Sequence, residues 1–306
     1  MVQQQPQQHN TTHALGQSIV LSRGAKDMGS TVDITSSFIE GAPPSELADV
    51  VKDIKALTSD DDPALIAKLK PAFEKYNEEQ LVAVKLPGAS DYVLVSSYNK
   101  ISSSPTRYYD SASSTSFELD HATAKASSPQ SYTHETQHST LVQSILKSLS
   151  AHFSEHYPPT SSSAYTACAT PDDSQIAILI SSTKSSPKNF ISGQWRSLFL
   201  FDPSTSSLSG SIRVNVHYYE DGNVALTTKK EIDNVDVGGS DGGSIIRKIA
   251  AIEKQYQEEV NRTIVGMNES SFKNLRRQLP VTRQKVEWEK IRGYGLGGDL
   301  RGEAKR

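Results

Sequence analysis

Between Ser244 and Ile291 the chain sets up a helix too long for an ordinary globular packing role. Ile245, Ile249, Ile252, Tyr256, Val260, Ile264 and Met267 recur at spacings of three and four, which puts them on one face. Two glycine pairs, Gly238-Gly239 and Gly242-Gly243, precede Ser244, whose hydroxyl suits an N-cap. No proline interrupts the run before Pro280. A helix of up to about 35 residues would extend roughly 50 Å, so it needs a wide surface to pack on. Its far end is basic: Lys273, Arg276, Arg277, Arg283, Lys285, Lys290 and Arg292 face only Glu287 and Glu289, on a chain of net charge −3.

With 306 residues, 36% of them hydrophobic and 22% charged, the chain can bury one sizeable core or two smaller ones. The first twenty residues lack a secretory pattern and no run approaches 18 apolar residues, so a soluble, cytoplasmic protein is expected. The single cysteine, Cys168, agrees with that and excludes an internal disulfide.

Residues 1–30 are rich in Gln, Ser and Thr without periodicity and read as a disordered leader outside the fold. Residues 31–80 read as helical. Leu47, Val50, Val51, Ile54 and Leu57 form one stripe with Ser45 as the expected cap, and Asp62-Pro63 starts a further helix interrupted at Pro71. This layer carries eleven acids against five bases, opposite in sign to the basic C-terminal tip.

Residues 81–237 read mostly as antiparallel sheet. Strands are expected at 81–86, 92–95, 107–109, 116–119, 165–170, 175–181, 193–201, 210–219 and 223–228. The Ser- and His-rich stretch 122–139 reads as a loop before one helix carrying Leu141, Ile145, Leu149 and Phe153. Ile212, Val214, Val216 and Tyr218 alternate with polar residues, and Glu220-Asp221-Gly222-Asn223 closes a hairpin. The long helix follows over 238–279, and 280–306 form the tail.

Catalytic motifs find little support. Gly293-Tyr294-Gly295-Leu296-Gly297-Gly298 fits G-x-G-x-x-G literally, but it follows a basic helix rather than a strand and reads as a flexible tail. His134 and His138, like His152 and His156, have ligand-like i, i+4 spacing but no H-E-x-x-H glutamate or cysteine partner. They read as surface polar residues. His217 falls on the polar side of a strand, and Cys168 falls inside one. The expectation is a protein without catalytic residues, metal or cofactor.

Two segments, Asn189-Phe190-Ile191-Ser192-Gly193-Gln194-Trp195-Arg196-Ser197 and Val216-His217-Tyr218-Tyr219-Glu220-Asp221-Gly222-Asn223-Val224, resemble the signature segments of the F-actin capping protein alpha subunit family (CapZ alpha). Leu275-Arg276-Arg277-Gln278-Leu279-Pro280-Val281-Thr282-Arg283, continued by Trp288 and Ile291, resembles that family's C-terminal motif. Phe38-Ile39 and Ala42-Pro43-Pro44 resemble its N-terminal helical region. The resemblance runs from about Thr31 to Arg292. The family often has an aromatic and Asn in place of Ile191 and Ser192, and Arg in place of Gln194.

The resemblance implies an α+β fold with N-terminal helices, a central antiparallel sheet shared with a homologous beta subunit, a long C-terminal helix and an amphipathic C-terminal tentacle. It implies an obligate heterodimer that binds filament barbed ends independently of calcium and blocks subunit exchange there, in the cortical actin cytoskeleton. It further implies actin contact through Lys273, Arg277, Arg283, Trp288 and Ile291, with Arg276 and Lys285 adding to the local field. If the sheet is shared, Trp195, Phe199, Val214, Val216 and Tyr218 belong to the subunit interface.

The same basic tip would also suit a phosphoinositide-binding membrane adaptor, and an inhibitory phosphoinositide could act beside capping. Val281, Trp288 and Ile291 share one helix face, which fits a groove or a membrane surface equally. Nucleic acid is disfavoured, because the whole chain is acidic and no aromatic platform accompanies the basic residues.

Overall fold

The computed structural model describes residues 31–58, 63–157, 162–220 and 224–266. The chain divides into two compact units, 1–247 and 248–306.

The first unit begins with four helices: α1 (Thr31–Glu40), α2 (Leu47–Thr58), α3 (Pro63–Lys68) and α4 (Lys70–Glu79). Their stripes meet in one cluster of Ile39, Ile54, Leu69, Phe73 and Tyr76. Pro63 opens α3 and Pro71 falls in the first turn of α4, positions where a missing N–H costs no helical bond. Ser45 is not the cap of α2. Its backbone is left-handed, at φ 68°, and Glu46 is the residue that precedes the helix, accepting from Asp49 and Val50 N–H through its carbonyl.

A hairpin of β1 (Ala83–Lys85) and β2 (Tyr92–Leu94) leads through a 3-10 turn at Ser97–Asn99 to a three-stranded meander. Its strands are β3 (Arg107–Asp110), β4 (Thr115–Asp120) and β5 (Lys125–Ser131). Strand β5 corrects the expected loop at 122–139. Lys125–Ser131 is polar on both faces and nearly all exposed, so it has no apolar period. It is held through its backbone by β4, with a register shift opposite Ser116–Glu118. Val84, Val93, Val95, Tyr108, Phe117 and Leu119 form the core beneath these strands.

Helix α5 (Ser139–His156) buries Val142, Ile145, Leu146, Leu149 and His152. Burial of His152 departs from the surface role expected for it, because it shares the helix face of Ile145 and Leu149. His134 also turns inward, with its ring stacked on Tyr109 at 4.8 Å between centroids, and His138 Nε2 lies 3.1 Å from the Asp173 carbonyl.

The central sheet is an antiparallel meander, β6 (Ala164–Ala169), β7 (Ile176–Ser186), β8 (Ile191–Asp202), β9 (Ser207–Tyr218) and β10 (Val224–Asp236), with spatial order equal to chain order. In β7 the run Ile176–Ile180 is wholly buried, as in a strand covered on both faces. Gly210 is required in β9. At φ 153°, a Cβ there would stand 2.1 Å from the Leu198 carbonyl oxygen and 2.9 Å from Phe199 Cα. Strand β10 extends to Asp236, well past the expected end at Thr228. The charged run Lys229–Glu231 hides it from a hydrophobic reading but suits an edge strand.

Helix α6 (Gly242–Gly266) starts two residues before Ser244, with Asp241 as its cap: Asp241 Oδ1 accepts from Ser244 N–H at 3.0 Å and Oδ2 from the Ser244 hydroxyl. Gly242 is needed because a Cβ would meet the Ser144 carbonyl of α5 at 2.4–2.5 Å. In the second unit, α6 buries Ile249, Glu253 and Tyr256 and exposes Ile264. The rest of the long helix expected from the sequence lies outside the described residues, as do the 1–30 leader and the Gly293–Gly298 motif.

Candidate subunit interface

Strands β8, β9 and β10 present two faces of opposite chemistry, because successive side chains alternate along each strand and the register stacks like faces together. On the face toward the N-terminal helices stand Ser192, Gln194, Arg196 and Leu198 of β8, opposite His217, Asn215, Arg213 and Ser211 of β9. Gln194 Nε2 donates to the Gln80 carbonyl at 2.8 Å and to Ser181 Oγ at 3.1 Å. Arg196 donates to the Glu79 carbonyl at 2.9 Å and to Asn215 Oδ1 at 2.6 Å. Burial, and then the neighbouring Arg213 charge, lower the Arg196 guanidinium to about 10, which still leaves it cationic at neutral pH.

At the end of this face Glu46 Oε1 accepts from Ser192 Oγ and from His217 Nδ1, each at 2.7 Å. Next to them Tyr219 N–H donates to the Phe190 carbonyl at 2.9 Å, and the two rings meet edge to face at 5.9 Å. The segments 189–197 and 216–220 therefore lie side by side, tied to the start of α2.

The opposite face gathers all five residues expected at an interface, four of them part-exposed. Trp195 lies across from Val214, Val216 across from Gly193, and Tyr218 across from Ile191. Leu226 of β10 extends this apolar strip opposite Val216. Trp195, Val214, Val216, Tyr218 and Leu226 are half-buried, and Val224 is 62% exposed. Phe199 shares the face but is fully enclosed by its own chain, so it has no surface to offer a partner. Beyond the strip, β10 pairs only with β9, so its outer edge carries no strand among the described residues. Lys273, Arg276, Arg277, Arg283, Lys285, Trp288 and Ile291 all lie outside the described residues.

Cys168 is buried, and burial pushes its thiol up to about 12, which leaves it protonated and unreactive. Among the described residues no group of three or more His, Cys, Asp and Glu could hold a metal, and no helix is long and apolar enough to cross a membrane.

The chain matches the family described as F-actin capping protein alpha subunit over residues 35–299. It belongs to that family. The match takes in both converging β-segments, the N-terminal helices from Thr35, and the basic tip together with most of the glycine-rich tail. The F-actin-capping protein subunit alpha of Aspergillus oryzae is 54% identical, covering 90% of this chain and 98% of that relative. The Saccharomyces cerevisiae subunit is 32% identical, over 87% of this chain and 95% of its own length. The solved homodimeric actin capping protein alpha subunit from Plasmodium berghei shares the fold, with TM-score 0.62 at 18% identity, over 83% of this chain and 100% of that one. The capping protein alpha family comprises actin-binding cytoskeletal proteins, and the described residues carry the mixed α+β fold of the alpha subunit.

Sequence reasoning missed Glu46, Arg213 and Lys229. Glu46 resembles the other acids of a solvated helical layer. The two basic residues gain meaning only from cross-strand register, which no local pattern encodes.

Proposed function

We propose that this chain is one half of a heterodimer completed by an F-actin capping protein beta subunit, and that the pair caps filament barbed ends independently of calcium and blocks subunit exchange at cortical actin. The supporting observation is the 13-residue strand β10, whose outer edge is unpaired among the described residues and runs beside a half-exposed apolar strip. An open edge of that length, roughly 40 Å, offers a second sheet a row of backbone donors and acceptors. Trp195, Val214, Val216, Tyr218 and Leu226 add apolar area of the kind an obligate interface buries, with a total above about 2,000 Å². The basic tip, Lys273, Arg276, Arg277, Arg283 and Lys285, then steers the pair to an acidic filament end, and Trp288 and Ile291 hold it there.

Co-expression with the beta subunit followed by seeded actin elongation tests the reading. Co-purification with arrest of barbed-end growth in calcium-free buffer is expected. A stable, cooperatively melting monomer from single expression, or a purified pair that leaves elongation unchanged, would overturn it.

A further inference from the structure

Three basic residues stand directly opposite one another across three adjacent strands: Arg196 of β8 faces Arg213 of β9, and Arg213 faces Lys229 of β10. Like charges in directly opposed cross-strand positions are destabilising, so such a row needs a compensating anion. Among the described residues only Lys229 forms an ion pair, with Glu231 of its own strand, while the Glu79 carboxylate favours the Arg196 charge without pairing with it. Arg196 is 5% exposed, bonds a carbonyl and an amide oxygen rather than a carboxylate, and leaves its Nε without any partner. Arg213 has no hydrogen bond or ion pair among the described residues.

Both arginines line a cavity of about 660 Å³ between α4, the 3-10 turn at Ser97–Asn99 and the sheet. Two of the three acids on its wall are already engaged. Glu74 and Glu78 bind Lys100, and Lys75 binds Glu40. Glu79 bonds Arg196 through its backbone carbonyl, and its carboxylate acts on the guanidinium through charge alone.

We infer that this cavity is a socket for a carboxylate-bearing segment of the second subunit, which docks against Arg196 and Arg213 as that subunit's sheet adds to β10. The inference rests on the heterodimer reading. Three features of the cavity select a polypeptide. The basic row runs perpendicular to the strands out to the open edge, about 10 Å over two strand spacings, so it meets an extended occupant arriving with the edge partner. The volume accommodates a short chain segment. The Ser97 and Ser211 side chains on its walls can bond a backbone as well as a side chain. An Arg pair matches a carboxylate in geometry and in charge.

The test uses the co-expressed heterodimer. Arg213→Lys places a primary amine at the socket, and treatment with a carbodiimide joins such an amine to a carboxylate in contact with it. The expected product is an amide between that amine and one Asp or Glu of the second subunit, identified by peptide mass. Arg213→Glu, at an exposed position, should then raise the dissociation constant of the pair at least tenfold. Reversing the identified acid to Lys should bring it back to within about threefold of wild type. An intact pair that yields no such link, or links only to Glu79 or Glu231, and whose affinity is unmoved by Arg213→Glu, overturns the socket and leaves the heterodimer standing. Stabilisation by inorganic phosphate with no inter-subunit link assigns the cavity to a free anion and also overturns it. Failure of the wild-type chains to associate overturns both readings.

Discussion

Glu46 and His217 lie 171 residues apart in the chain and meet at 2.7 Å, with Ser192 donating to the same carboxylate oxygen. One acid at the start of α2 thus fastens the N-terminal helices to two adjacent strands of the sheet. Replacing Glu46 with Ala leaves a hydroxyl and an imidazole N–H without their acceptor in a part-buried site, and should cost about 1–3 kcal/mol in denaturant unfolding. Glu46→Gln keeps an oxygen acceptor and should lose much less. Equal losses in the two variants would mean that the contact is not what holds the helices.

His121 carries a predicted acid sensitivity. Its Nδ1 lies 3.2 Å from Asn77 Nδ2, which can only donate, and its Nε2 lies 3.2 Å from the Tyr108 hydroxyl, which itself donates to Glu78 at 2.7 Å. The ring is therefore neutral with its proton on Nε2. Burial is the main cause of its lowered pKa. A group with a depressed folded-state pKa contributes stability that is whole above its unfolded value, near 6.5, and is lost as pH falls through the folded one. Unfolding free energy should drop between pH 7 and 5, with a visibly shallower slope in His121→Gln.

Two glycine substitutions should separate strain from crowding. Gly210→Ala forces a methyl group into the Leu198 carbonyl at a positive φ and should destabilise the chain by on the order of 3 kcal/mol. Gly88→Ala has a φ of 79° but open space around it, so about 1 kcal/mol is expected. Thermal melts of both variants check the ordering.

Val216 and Leu226 lie opposite each other on the half-exposed strip. Changing both to Lys puts two charges where the proposed partner sheet must cover apolar surface. Co-expression should then yield little or no pair by size exclusion. Thr227→Ser, on the other face of β10, is the control and should assemble normally.

At the C-terminal tip, reversing Lys273, Arg277 and Arg283 to Glu should slow capping and flatten its dependence on ionic strength. Trp288→Ala should leave pair yield and melting nearly unchanged and shorten residence on the filament. Loss of about 2 kcal/mol of apolar contact corresponds to a roughly thirtyfold faster off-rate. Single-filament microscopy reads both effects. An unaltered residence time removes Trp288 from the contact.

The alternation of Ile212, Val214, Val216 and Tyr218 makes β9 legible, because one face of that strand is less polar than the other and a period of two survives in the sequence. Strand β5 leaves no such trace, since Lys125–Ser131 is exposed and held by backbone bonds that any residue can make. The apolar half of the candidate interface is legible for the same reason as β9. The basic row is not: Arg196 and Arg213 lie 17 residues apart along the chain and Arg213 and Lys229 lie 16 apart, and only the hairpin register aligns them. The caps expected at Ser45 and Ser244 are displaced because a neighbouring acid takes the role or the position in each case, which residue type alone does not decide.

The burial of Cys168 has a practical meaning for experiments on this chain. It is the single cysteine among 306 residues, and its enclosed, protonated thiol is a poor target for maleimides and disulfide reagents while the fold is intact. A cysteine introduced at an exposed site, such as Val224 at the end of β10, then becomes the sole labelling position for a fluorophore or spin probe. The native thiol keeps a separate use as a clock: its slow reaction under native conditions times the openings that expose the sheet interior.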